Sequence, residues 1–152
     1  MIPESKLIKK EVVLRELLLS KEVLETKNSL LRWIALSLGL INQNESRLGV
    51  LSVFEALVYF QFVEKKDANF DEIMNYLQKN QQEQKLSEKS VRYHLLQLKK
   101  KGIVENKKGL WYFSGSNKYD FNSWVEEYLS SFSNAIAPNI KTAFSNLITK
   151  LK

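Results

Sequence analysis

The stretch SEKSVRYHLLQLKKKGIV, from Ser87 to Val104, decides the fold. Its first serine can cap a helix, and Val91, Leu95 and Leu98 recur at the spacing of one narrow apolar face. Gly102 stands where such a helix would end. We therefore expect a helix with one buried side and a polar, largely basic opposite side.

Two short β-prone runs follow this helix. Residues 103–105 and 110–113 are rich in aliphatic and aromatic side chains, and residues 106–109 (NKKG) between them favour a tight turn. This pattern predicts a hairpin with Lys107 and Lys108 at its tip. The aromatic residues 111–113 suit either stacking on single-stranded bases or packing onto the helices, and packing is the favoured interpretation.

Helical periodicity dominates the rest of the chain. Polar residues 42–46 form a connector after the second predicted helix, the pattern breaks at residues 65–69, and residues 78–85 form a polar loop. The predicted helices run from about Glu4 to Leu19, from Leu30 to Leu38 after a cap at Asn28 or Ser29, from Ser46 to about Glu64, from Phe70 to Leu77, and from Asp120 onward with a break near Pro138.

The composition excludes several classes of protein. The 152 residues contain no cysteine, so disulfides and thiolate metal sites are excluded. They contain one histidine, so catalytic metal sites that need several histidines are excluded as well. The single histidine, His94, adjoins the apolar face and is interpreted as structural. No Walker loop, dinucleotide-binding glycine pattern or nucleophile elbow occurs. We predict no cofactor, no metal and no enzymatic activity.

The first residues lack the uninterrupted apolar core of a signal peptide, because Lys9, Lys10 and Glu11 interrupt the apolar side chains of this region. The longest apolar stretches fall short of the about 20 residues that cross a bilayer. We expect a cytoplasmic protein with no membrane partner.

The positive charge of this chain is local. Between Lys89 and Lys108 there are seven basic residues and one acidic residue, whereas the other 132 residues carry 16 of each sign. The whole excess of +6 therefore lies in 20 residues. Such a cluster is typical of a surface that binds a polyanion, although a solvated lysine-rich helix end is the simpler alternative.

The order of elements from Ser46 to Phe113 is helix, helix, narrow helix, glycine and hairpin, which is the order of a winged helix-turn-helix. The stretch from Ser87 to Val104 resembles the recognition helix and wing entry of prokaryotic winged-helix repressors such as the arsenical-resistance regulators. The resemblance covers roughly 68 residues. Two features depart from that family: nine residues separate Leu77 from Ser87, and no cysteine is present for metal sensing.

This resemblance implies a winged helix-turn-helix core with a small β-hairpin wing, and helical periodicity adds flanking N- and C-terminal helices, so we expect a fold that is mainly α. The expected segments are an arm at 1–45, a DNA-binding domain at 46–115 and a dimerisation segment at 116–152. A helix that enters the major groove sets its first two turns against base edges, and Arg92 is the best candidate for reading guanine. The predicted DNA-binding residues are Lys89, Ser90, Arg92, Tyr93, Gln97, Lys100, Lys101, Lys107 and Lys108.

The C-terminal segment carries more apolar side chains than a domain of this size needs to cover itself. We expect it to form a homodimer through Trp124, Tyr128, Phe132, Phe144 and Leu147, with an intramolecular helical cap as the alternative. The predicted function is a sequence-specific, double-stranded DNA-binding transcription regulator, most simply a dimeric repressor. The competing prediction is a winged-helix module that binds protein in a transcription, replication or secretion assembly, through Leu96 and the aromatic wing.

Overall fold

The computed structural model describes residues 2–46, 48–80 and 85–152. The chain is mainly helical with a small three-stranded antiparallel sheet, which confirms the coarse fold class. The elements in chain order are a 3₁₀ turn Glu4–Lys6, α1 Lys21–Leu24, α2 Lys27–Ser37, α3 Gly49–Val58, a π-helical turn Tyr59–Glu64, β1 Ala68–Asn69, α4 Phe70–Asn80, α5 Glu88–Lys100, β2 Val104–Lys107, β3 Leu110–Phe113 and α6 Phe121–Leu151.

These elements divide into two compact units, and each unit combines separate stretches of chain. The first unit holds the described residues up to Ala56 and those from Asp71 to Gln97. The second unit holds Leu57–Phe70 and Leu98–Lys152. The division into an arm at 1–45, a DNA-binding domain at 46–115 and a dimerisation segment at 116–152 stays a prediction.

The N-terminal arm of the first unit is not the predicted helix. Beyond Glu4–Lys6, residues 8–20 are non-helical, because this stretch bonds to α2 instead of to itself. The Arg15 backbone N–H donates to the Ser37 carbonyl at 2.9 Å, and its guanidinium donates to the carbonyls of Leu36 and Ile41 at 2.8 and 3.0 Å. Tertiary hydrogen bonds thus override a helical pattern in the sequence.

The next two helices differ from the prediction mainly at their ends. Thr26 caps α2, with its hydroxyl accepting from the Ser29 N–H at 3.1 Å, so the predicted cap at Asn28 or Ser29 is displaced toward the N-terminus. Gly39 has φ +72° just beyond this helix, a left-handed conformation that glycine commonly adopts at helix ends. The third helix starts at Gly49 rather than Ser46 and becomes π-helical over its last six residues.

The second unit contains the sheet, whose strand order is β1-β3-β2. The short strand β1 pairs with β3, with Ala68 opposite Trp111, where the sequence predicted only a break. A buried side chain of the π-helical turn supports this sheet: Gln61 accepts from the Phe113 N–H at 3.3 Å and donates to the Lys118 carbonyl at 2.6 Å. A side-chain amide therefore satisfies backbone groups that no strand reaches.

The C-terminal helix α6 is continuous over 31 residues and contains Pro138, so the predicted break there is wrong. Proline leaves the carbonyl four residues earlier without its helical donor, but residue 134 is exposed and water can replace that donor. In the ranges that the structure describes, none of the helices is both long and apolar enough to span a membrane. Residues 81–84 of the predicted polar loop lie outside the described ranges.

Candidate nucleic-acid interface

The start of α5 has the predicted cap. The Ser87 hydroxyl accepts from the Ser90 N–H at 3.1 Å, and the Ser87 carbonyl accepts from the Val91 N–H at 3.0 Å. Glu88 in the first turn complements the positive end of the helix dipole. Local hydrogen bonds at Ser87 therefore fix where α5 begins, and the spacing of its residues decides which side chains share a face.

One side of α5 is fully covered. Val91 and Leu95 have no exposed surface, and Leu98 is 1% exposed. Because these residues recur at the spacing of one helix face, the predicted apolar stripe is confirmed. The opposite side of the helix is left to solvent.

His94 borders the buried side and packs against the start of α3. A Cβ added to Gly49 would lie only 2.8 Å from the His94 Nε2 atom and 3.2 Å from the Leu86 Cδ2 atom. Gly49 therefore permits the close approach of this imidazole. Burial lowers the pKa of His94 from its usual 6.5, so the ring is neutral near pH 7. These contacts agree with a structural role.

The exposed side of α5 carries the predicted base-reading residues of the first unit. Lys89, Arg92 and Tyr93 are exposed, and Ser90 and Gln97 are half-buried. Successive helical residues turn by about 100°, so the first three lie within about 100° of one another around the axis. They form one face, opposite Val91 and Leu95.

The remaining predicted DNA-binding residues belong to the second unit and are all exposed: Lys100, Lys101, Lys107 and Lys108. Lys100 lies in the last turn of α5, where a cation also stabilises the negative end of the helix dipole. The Tyr128 hydroxyl donates to the Lys101 carbonyl at 3.2 Å. Burial raises the pKa of this phenol from 10.0 to about 12.

The hairpin is confirmed, with a two-residue turn at its tip. Lys107 pairs with Leu110, and both turn residues have positive φ, +55° at Lys108 and +80° at Gly109. This combination is that of a type I′ turn, which matches the twist of paired strands. The Asn106 side chain accepts from the Gly109 N–H at 3.2 Å. Both lysines are exposed at the turn.

The aromatic residues of β3 mainly pack within the second unit. The Phe113 ring lies 4.9 Å from the Phe62 ring and 5.0 Å from the Trp124 ring, centroid to centroid, and is 2% exposed. The Lys118 Nζ atom lies 4.2 Å from the Tyr112 ring centre and 2.7 Å from the Asp67 carboxylate. Core packing, the favoured interpretation, is confirmed for Phe113.

The predicted dimerisation residues fall into two groups along α6. Trp124 and Tyr128 are buried and stack at 4.9 Å, and half-buried Phe132 follows at 4.9 Å. These contacts account for their burial within one chain, so a second copy is not needed to cover them. Phe144 and Leu147 are 60% and 51% exposed. The dimer itself stays a prediction.

Sequence reasoning missed the polar contacts that hold the second unit together. Gln61 falls within the predicted helix from Ser46 to about Glu64, and a glutamine within the apolar run YFQFV of residues 59–63 is the signal that could have indicated a buried amide. The ion pair of Asp67 and Lys118 joins residues 51 positions apart, and no local pattern predicts it. Comparisons with protein-family models, with curated proteins and with solved structures found no match for this chain.

Proposed function

We propose that this chain is a sequence-specific, double-stranded DNA-binding transcription regulator, acting as a dimeric repressor in the cytoplasm rather than as an enzyme. The observation that carries the proposal is the exposed face of α5, where Lys89, Arg92 and Tyr93 lie opposite a fully buried apolar stripe. This face begins the 20-residue segment that holds the whole positive excess of the chain. In this proposal α5 is the recognition helix of a winged helix-turn-helix, and the β2–β3 hairpin is its wing.

The side chains of α5 have the chemistry that base reading needs. The planar fork of Arg92 matches the O6 and N7 acceptors of guanine, and the smaller polar groups of Ser90 and Gln97 suit bases or sugars beside it. The four exposed lysines of the second unit suit phosphate oxygens, which add affinity without sequence choice. They are Lys100, Lys101, Lys107 and Lys108.

The second half of α6 supports the dimer in this proposal. Its exposed apolar residues recur at spacings of four and three: Ile140, Phe144, Leu147 and Leu151. That spacing is typical of two helices that pack side by side. A two-fold dimer would address half-sites about 34 Å apart, and we expect a palindromic operator.

Arg92→Ala tests the proposal. Duplexes retained from a random and genomic pool are sequenced, and the affinity of the best duplex is measured by titration at about 50 and about 200 mM salt. We expect steep salt dependence and a loss of about 1–3 kcal/mol in Arg92→Ala. Lys21→Ala removes an exposed cation of α1 and is the matched control, with little expected change. An unchanged affinity in Arg92→Ala would remove this residue from the interface.

A second candidate function has one observation in its favour. Leu96 is 50% exposed on α5, which also suits a protein partner. A winged-helix protein-binding module predicts an interface that changes little with salt, because apolar contacts are not screened. The same titration at two salt concentrations separates the two functions.

A further inference from the structure

Leu96 lies at the centre of the exposed face of α5. Its side chain is 50% exposed, whereas the preceding Leu95 is fully buried. It follows Arg92 by four residues and Tyr93 by three, so all three side chains are neighbours on the helix surface. Lys89 is seven residues before it, two turns earlier on the same side.

An apolar side chain in this position does not stabilise α5 through the core. The buried stripe of Val91, Leu95 and Leu98 already fixes the packing of the helix. Leu96 points away from that stripe and is surrounded by cationic and polar groups. Its apolar surface is therefore available to a ligand that binds the face.

The charges around Leu96 select the class of ligand. From Lys89 to Val104 the chain has no acidic residue and five basic ones. The surroundings of Leu96 therefore favour binding to a polyanion over binding to a protein surface that carries charges of both signs. Within the major groove of duplex DNA, thymine is the base whose edge carries an apolar group, its 5-methyl. The leucine side chain and the thymine methyl group are both apolar, so contact between them removes apolar surface from water.

Resting on the proposed function, we propose that Leu96 contacts the 5-methyl group of a thymine beside the base pair read by Arg92 and thereby specifies thymine in the operator. Four residues advance about 6 Å along a helix, and base pairs are stacked about 3.4 Å apart. The thymine therefore lies one or two base pairs from the guanine. Arg92 selects by hydrogen bonds, and Leu96 selects by apolar contact.

The test uses the full chain and the duplex recovered by selection. Each thymine is replaced in turn by deoxyuridine, which lacks the 5-methyl group and keeps all pairing hydrogen bonds. For the wild-type chain, we expect Kd to rise about three- to fivefold at one thymine in each half-site, the effect of one buried methyl group. Elsewhere in the duplex the replacement should have little effect.

Two variants assign this sensitivity to Leu96. Leu96→Ala is expected to bind the thymine and deoxyuridine duplexes equally, while Leu96→Met, which keeps an apolar side chain, retains most of the discrimination. Arg92→Ala is expected to bind more weakly but to keep the deoxyuridine effect. Because Leu96 is half exposed, we expect its variants to fold like the wild type. Circular dichroism and urea unfolding check that each variant is folded.

The outcomes separate the inference from the function on which it rests. A scan with no sensitive thymine, or the same sensitivity in Leu96→Ala as in the wild type, overturns the inference alone when Arg92-dependent binding is intact. A chain that binds no duplex overturns the inference and the proposed function together. The inference is supported if Leu96→Ala no longer discriminates between the thymine and deoxyuridine duplexes while Arg92→Ala still does.

Discussion

The two halves of α6 form one continuous helix but have opposite surroundings. In residues 121–132, Trp124 and Tyr128 are buried in a stack that continues to Phe113 on one side and Phe132 on the other. From residue 138 to residue 151 every residue is exposed, although apolar side chains keep recurring. Tertiary contacts stabilise the first half as a helix, whereas the second half is left exposed by the described residues of its own chain.

This difference shows that an apolar stripe has two separate uses. Where aromatic rings meet the sheet of the same unit, burial stabilises the fold directly. Where Phe144 and Leu147 remain exposed, the same kind of stripe stabilises nothing until a partner covers it. Substitutions in the two halves should therefore act on different quantities, the free energy of unfolding in one and that of association in the other.

The largest expected effect is that of Trp124→Ala. The indole is 6% exposed between Phe113 and Tyr128, so its removal leaves a cavity in the aromatic stack. We expect a loss of about 3–5 kcal/mol in the free energy of unfolding, measured by urea denaturation.

Trp124→Phe is the control for this cavity. It keeps an aromatic ring and removes an indole N–H that has no hydrogen-bond partner in the described part of the chain. It should lose clearly less than Trp124→Ala. Equal losses in the two variants would mean that ring packing is not what stabilises the first half of α6.

An intermediate effect is expected from Tyr128→Phe, and it depends on pH. The phenol has a pKa of about 12 in the folded chain against 10.0 for the free side chain. Between these values the unfolded chain loses the proton first, so the stability that this phenol contributes is fully present below pH 10 and is lost as pH rises toward 12. Two pKa units correspond to about 2–3 kcal/mol.

Tyr128→Phe should remove the part of the alkaline loss that this phenol causes, while the raised pKa values of Tyr112 and Lys118 leave a smaller loss in place. At neutral pH it should cost about 1 kcal/mol, since the hydrogen bond to the Lys101 carbonyl is gone. Urea unfolding from about pH 7 to about pH 12 measures both effects. Tyr119→Phe, at an exposed ring, is the matched variant and should keep the wild-type profile. An unchanged alkaline slope in Tyr128→Phe would show that this phenol is not the group responsible.

The smallest effect on folding is expected from Phe144→Ser in the second half of α6. Its ring is 60% exposed, so at high dilution the free energy of unfolding should change by no more than about 0.5 kcal/mol. If a second copy covers this ring, the difference from wild type must grow with protein concentration. Sedimentation at several concentrations, alongside unfolding, checks this. A large loss at every dilution would contradict the contrast between the two halves.

The parts of the fold that local chemistry determines were predictable. The serine cap of α5, its apolar stripe and the hairpin with its glycine turn depend on residues close together in sequence. The N-terminal arm was not predictable in this way. Its leucines recur with a helical period, but the hydrogen bonds that Arg15 makes with α2 decide its conformation.

The candidate site was predictable to a similar extent. Periodicity alone separates the exposed Lys89, Arg92 and Tyr93 from the buried Val91 and Leu95. The burial of Trp124 and Tyr128 within one chain was missed, because their contacts with a strand and with each other depend on tertiary structure.

The attachment of Arg15 to α2 makes the N-terminal arm part of a folding unit with that helix. Its backbone N–H donates to the Ser37 carbonyl at the end of α2, its guanidinium donates to the carbonyls of Leu36 and Ile41, and the Ser37 hydroxyl donates to the Arg15 carbonyl at 2.9 Å. Releasing the arm removes these donors from the end of α2, and fraying of α2 removes the Ser37 groups that anchor the arm. Local opening of these two segments is therefore cooperative, although Arg15 and Leu36 lie 21 positions apart in the sequence.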